Sequence, residues 1–129
     1  MIKPRVLLIE DNEQNRYLVT FLLEKNGYVV VAASDAFRGL EIARRFVPEV
    51  IVLDIQLPKM DGYAVARALR EIDALRDTPI VAVTSYAMPG DREKALEAGC
   101  TGYIEKPINP GTFVAELESA MARRSRRGS

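Results

Sequence analysis

The sequence predicts one α/β domain: a doubly wound sheet of five parallel strands in the order 2-1-3-4-5, with helices on both faces. Three observations carry that expectation. Five short apolar runs alternate with longer amphipathic ones, and strict β–α alternation builds a parallel sheet covered on both sides. Most of the runs are continuous and rich in Val and Ile, as strands buried on both faces are. Functional side chains end every run except the second, and that order places the second strand at the edge.

The first strand is "RVLLIE", Arg5 to Glu10. Asn12 to Asn26 reads as a helix with Leu18, Phe21, Leu22 and Lys25 on neighbouring turns, stopped by Gly27. "YVVVAAS", Tyr28 to Ser34, is the second strand, and Asp35 to Phe46 the second helix, with Leu40 and Ala43 on one face before Pro48. "EVIVLD", Glu49 to Asp54, is the third strand. The helix after it, Asp61 to Ile72, brings Val65, Leu69 and Ile72 together. "PIVAVT", Pro79 to Thr84, precedes a helix from Gly90 to Ala98 that stops at Gly99. "GYIEK", Gly102 to Lys106, is the last strand, and Asn109 to Arg123 the last helix, with Phe113, Leu117 and Met121 spaced by four.

A chain of 129 residues, 48% of them apolar, suits one packed domain, here 4–123. Eighteen basic and eighteen acidic residues cancel, which gives no electrostatic case for nucleic-acid or membrane-surface binding. Its single cysteine, Cys100, excludes an internal disulfide and fits an intracellular compartment. With no histidine at all, a His general base, a His phospho-carrier and the usual zinc sites are excluded. No apolar run reaches transmembrane length and no signal peptide is evident, so a soluble cytoplasmic domain is expected. Only "ARRSRRGS" departs in composition; the basic tail over 124–129 reads as solvated and disordered.

Ligands of doubly wound sheets sit beyond the carboxyl ends of the strands, where the strand order reverses. Here those ends carry Glu10 and Asp11, Asp54, Thr84 and Lys106, and the predicted order converges them on one crevice. Like-charged carboxylates that close together raise each other's pKa or demand a cation. Oxygen ligands without His or Cys suit Mg²⁺. Lys106 adds a fixed positive charge and Thr84 a hydroxyl. A carboxylate so flanked matches what phosphoryl transfer to Asp54 needs.

Each residue also has a plainer reading. Taken alone, a Glu-Asp pair after a strand more often marks a helix N-terminus. Asp54 alone serves equally as a structural partner of Lys106, and Thr84 ending a strand means nothing by itself. It is the convergence of separate strand ends that favours the chemical reading.

At these residues the chain resembles the receiver domain of two-component response regulators, a CheY-like domain of the flavodoxin-like (βα)5 fold. "LLIEDN" is similar to the family's acidic pair, "VLDIQLPKMDG" to its phospho-acceptor strand and loop, "VAVTS" to its hydroxyl strand and "YIEKPI" to its lysine-proline turn. "EDNEQNR", "DIQLPKMDG" and "GYIEKPI" look like single-domain regulators of the DivK type. The resemblance implies that Asp54 is the phospho-acceptor and that Mg²⁺ is held by Asp11, Asp54 and the Gln56 carbonyl, with Glu10 acting through water. It implies that Lys106 and Thr84 contact phosphoryl oxygens and that the Lys106–Pro107 bond is cis, which aims Lys106; the plainer reading of Pro107 is a helix-start proline.

The same resemblance implies a switch. Phosphorylation would draw Thr84 inward and let Tyr103 turn into the vacated space, shifting a pre-existing equilibrium of the surface formed by the fourth helix, fifth strand and fifth helix, about Pro89 to Met121. Otherwise Tyr103 is a half-buried strand aromatic. Gln56 and Tyr86 stand where family members vary and control access of hydrolytic water. Ser85 is a departure, since the family more often has Ala there. Implied partners are a sensor histidine kinase or a histidine phosphotransferase and a downstream protein target, with no direct nucleic-acid or membrane contact, in a monomer or phosphorylation-linked dimer.

Three other functions could use residues of these types. A phosphohydrolase of the haloacid-dehalogenase class needs a second Asp two residues after its nucleophile, where Gln56 stands, and room for a substrate cap. An FMN carrier needs a Ser/Thr/Gly-rich phosphate loop after the first strand, where "EDNEQN" would repel phosphate. A receiver-like module that takes no phosphate is disfavoured by the intact Glu10, Asp11, Asp54, Thr84 and Lys106.

Overall fold

Strands form where continuous Val- and Ile-rich runs find cover on both faces. They are β1 (Arg5–Ile9), β2 (Val29–Ala33), β3 (Val50–Asp54), β4 (Ile80–Thr84) and β5 (Gly102–Glu105). A computed structural model describes residues 3–85 and 88–122; Tyr86, Arg123 and the tail over 124–129 lie outside them. The strands are parallel and ordered β2-β1-β3-β4-β5, the expected topology. β3 and β4 are buried at every residue. β2, at the edge, is covered only in part, with Val29 41% exposed.

The helices are α1 (Glu13–Lys25), α2 (Ala36–Arg45), α3 (Gly62–Arg70), α4 (Asp91–Glu97) and α5 (Phe113–Ala122). Side chains alternate across the sheet. Leu7, Ile9, Ile51 and Leu53 face Leu40, Ala43, Val65, Leu69 and Ala95 of α2, α3 and α4. Val6, Leu8, Val52 and Val81 face Val19, Leu22 and Leu23 of α1 and Phe113 and Leu117 of α5. Burying one such Leu or Val contributes about 1.5–3 kcal/mol, and the sheet anchors both layers.

Two expectations need correction. The inward stripe of α1 is Val19, Leu22 and Leu23, one position round from the expected set; Phe21 is 52% exposed, Lys25 is exposed and Leu18 is only partly covered. Leu22 belongs to both stripes, which is why a spacing count alone chose the wrong one. The last helix begins at Phe113 rather than Asn109. Pro110 has no amide to donate, and 109–112 form a turn in which the Asn109 side chain accepts from the Gly111 amide at 2.9 Å.

Candidate functional site

The parallel register sets the carboxyl ends of four strands level. Ile9 pairs with Leu53, Asp54 with Val83 and Thr84 with Glu105. Glu10 and Lys106, just past β1 and β5, therefore border the same crevice as Asp54 and Thr84, which end β3 and β4. Glu10, Asp54 and Thr84 are all buried; Asp11 is exposed at the mouth.

Lys106 draws the group together. Its Nζ lies 3.1 Å from Glu10 Oε1 and 3.3 Å from Asp54 Oδ2. The remaining oxygens are also held: Glu10 Oε2 accepts from the Asn12 amide at 3.0 Å, and Asp54 Oδ1 from the Gln56 amide at 2.9 Å. One oxygen from each of Glu10, Asp11 and Asp54 falls within 4.8 Å of the others. Burial, opposed by the Asn12 amide and reinforced by the Asp54 charge, pushes the Glu10 carboxyl up to about 7 although Lys106 pulls it down. Among the described residues a single ammonium, that of Lys106, pairs with this cluster and leaves it short of positive charge, and its all-oxygen donor set fits a hard divalent cation.

The helix-terminus reading of the acidic pair is answered directly. The cap of α1 is Asn12, whose side chain accepts from the Asn15 amide at 2.8 Å, so neither Glu10 nor Asp11 caps the helix. Thr84 ties the end of β4 to the lysine turn, its carbonyl accepting from the Lys106 amide at 2.7 Å. The Lys106–Pro107 bond is cis.

Tyr103 stands apart from this cluster, on β5. Its hydroxyl is buried with no hydrogen-bond partner among the described residues, and the Arg92 guanidinium lies 5.7 Å from its ring centre. Burial raises its phenol above the ordinary value, with Asp91 and Glu105 adding to the effect and Arg92 opposing it. Packed against the α2–α3–α4 side of the core, it is already turned inward. Tyr86 lies outside the described residues.

Sequence reasoning passed over two residues that shape the site. Arg16 donates from Nη1 to the Glu10 carbonyl at 3.0 Å and the Asp11 carbonyl at 3.3 Å, fixing the backbone of the acidic pair. Gly62 opens α3 so close to β3 that a methyl group there would run into the Ile55 backbone, and its amide donates to the Ile55 carbonyl at 3.1 Å. The "EDNEQNR" and "KMDG" stretches contain both residues, but only the folded loops show what they touch.

Comparison with known proteins agrees with this geometry. The family model described as the response regulator receiver domain matches residues 6–118. The polar-differentiation response regulator DivK of Brucella anthropi is 40% identical over 114 residues, covering 88% of this chain and 93% of that protein. Among solved structures, the chemotaxis response regulator CheY4 of Vibrio cholerae superposes with a TM-score of 0.89 at 29% identity, covering 92% of this chain and 99% of that one. The receiver domain of the sensor histidine kinase PA1611 from Pseudomonas aeruginosa, solved with magnesium coordinated in its active-site cleft, gives 0.84 at 32% identity, covering 94% and 99%. The fold, the crevice and these likenesses agree, and the chain belongs to the receiver-domain family of two-component response regulators.

Proposed function

We propose that Asp54 accepts a phosphoryl group and that the resulting change at the crevice controls binding of a partner protein. The observation that carries this is the placement of one buried carboxylate, Asp54, beside Lys106 at 3.3 Å and within reach of Glu10 and Asp11. In the transfer an Asp54 carboxylate oxygen forms a bond to phosphorus. The bond from phosphorus to the donor, P–N in a phosphohistidine or P–O in an acyl phosphate, breaks, and the donor leaves with the electron pair. Lys106 holds the charge on the phosphoryl oxygens, and the Thr84 hydroxyl orients one of them. Water later attacks phosphorus, releasing inorganic phosphate and restoring the carboxylate.

Glu10, Asp11 and Asp54, with the Gln56 carbonyl, would hold Mg²⁺. Bound there, the ion supplies charge neutralisation for the group in flight. Donors are a sensor histidine kinase or a histidine phosphotransferase. Tyr103, with Thr84, reports the event to the surface of α4, β5 and α5, where a downstream target binds. The switch is a shift in population between existing states, and the inward Tyr103 ring belongs to one of them. No described helix is long and apolar enough to cross a membrane, and a cytoplasmic setting is part of this reading.

The test is intact mass after incubation with acetyl phosphate, with and without Mg²⁺. Wild type should gain one phosphoryl group only with Mg²⁺, and Asp54→Asn none. Failure of the wild type to gain mass, together with failure to form a beryllofluoride adduct, would leave a phosphate-independent binding module.

A further inference from the structure

We propose that the Gln56 side chain is a latch on the Ser85 backbone amide, and that this amide becomes a phosphoryl-oxygen donor only when the latch is released. The inference rests on phosphorylation at Asp54 and adds a control to that step. It starts from the end of the β3–β4 ladder. The Ile51 amide donates to the Pro79 carbonyl and the Ile55 amide to the Val83 carbonyl, at 2.9 and 3.0 Å. In a parallel ladder of this register the next rung would run from the Ser85 amide to the Ile55 carbonyl. That rung is replaced. The Ile55 carbonyl accepts from Gly62, and the Ser85 amide donates instead to Gln56 Oε1 at 3.0 Å.

Gln56 thereby touches the crevice at two points. Its own amide holds Asp54 Oδ1 at 2.9 Å, while its side-chain carbonyl occupies an amide one residue beyond Thr84. A phosphoryl group on Asp54 brings anionic oxygens to this side of the crevice. An anionic acceptor forms a hydrogen bond roughly twice as strong as a neutral amide carbonyl does, so the phosphoryl oxygen displaces Gln56 Oε1. Entry of the group thus requires the latch to open, and the latch recloses when the group leaves.

Two variants separate this from simple bulk. Gln56→Met keeps the length of the side chain and removes the acceptor; Gln56→Ala removes both. Amide hydrogen exchange at Ser85, measured on unphosphorylated protein without metal, should speed up in both variants by between about two- and tenfold, the equilibrium worth of one neutral hydrogen bond. Phosphorylation by acetyl phosphate should accelerate by a similar factor in Gln56→Met. Unchanged Ser85 exchange in the variants would overturn the latch. Faster exchange with an unchanged phosphorylation rate would overturn the gating, because the amide would then not serve the phosphoryl group. A Gln56→Met rate equal to wild type beside a faster Gln56→Ala would assign Gln56 to steric shielding instead. If wild type itself takes no phosphoryl group, the proposed function fails and the gate falls with it; a phosphorylated wild type matched by Gln56→Met fails the gate alone.

Discussion

Lys106, just past β5, stands 3.3 Å from Asp54, which ends β3 two strands away in the sheet. The lysine stem crosses the end of β4 to make this contact and continues to Glu10, at 3.1 Å. Both carboxylates are buried, so the ammonium is a structural counter-ion before it takes part in any transfer. Lys106→Met should therefore cost stability as well as phosphorylation. Removing one partner from a buried ion pair costs about 3 kcal/mol or more, and the cost should show in denaturant unfolding without metal. Wild-type stability in the variant would mean that the pair contributes nothing to the resting fold.

Gly62→Ala tests the loop that places Gln56 and closes behind Asp54. The added methyl meets Ile55 backbone rather than a yielding side chain, so the loop itself has to move. Overpacking of this kind costs about 1–3 kcal/mol. A lower denaturant midpoint and slower phosphorylation are expected together, and neither should occur if the loop accommodates the methyl freely.

Much of this site was legible in the sequence because it depends on strand ends and register. Glu10, Asp54, Thr84 and Lys106 follow continuous apolar runs, and a parallel sheet with β2 at its edge leaves them no other place to converge. What escaped depends on loop geometry. The Gln56–Ser85 bond replaces a ladder rung only because Gly62 has taken the Ile55 carbonyl, a competition that no spacing encodes. Arg16 was hidden for a similar reason: its partners are backbone carbonyls, which every residue has. Phe21 misled because a helix with apolar residues on more than one face presents two plausible stripes, and only packing on the sheet chooses Val19 and Leu23.

Mg²⁺ should stabilise the wild type. A ligand that binds only the folded state adds about 2.7 kcal/mol at a hundred times its Kd, visible as a rise in the thermal midpoint. Asp11 is the exposed member of the carboxylate cluster, so Asp11→Asn should fold normally and lose most of that rise. An equal response in the variant would remove Asp11 from the metal site.

Tyr28 offers a pH test away from the crevice. Its hydroxyl donates to Glu118 Oε2 at 2.9 Å, tying the start of β2 to α5. Burial and then the Glu118 carboxylate push the phenol up from 10.0 to about 12. The folded state therefore favours the neutral phenol: its contribution is full below pH 10, the unfolded value, and is lost as pH rises through about 12. Tyr28→Phe should lose about 1 kcal/mol at neutral pH. That difference from wild type should shrink as the pH climbs above 10, where the phenol begins to ionise in the unfolded chain. A difference that stayed constant into strong alkali would show that the bond to Glu118 is not its source.

The central claim is that the covalent change falls on Asp54. Borohydride reduces an acyl phosphate to the alcohol, so phosphorylated protein quenched with borohydride and sequenced by tandem mass spectrometry carries homoserine at the acceptor. Homoserine is expected at position 54, dependent on Mg²⁺ and on the phosphoryl donor. Homoserine at position 11, 5-hydroxynorvaline (the alcohol from a glutamyl phosphate) at position 10, or unmodified Asp54 in protein that has gained a phosphoryl group, would contradict it.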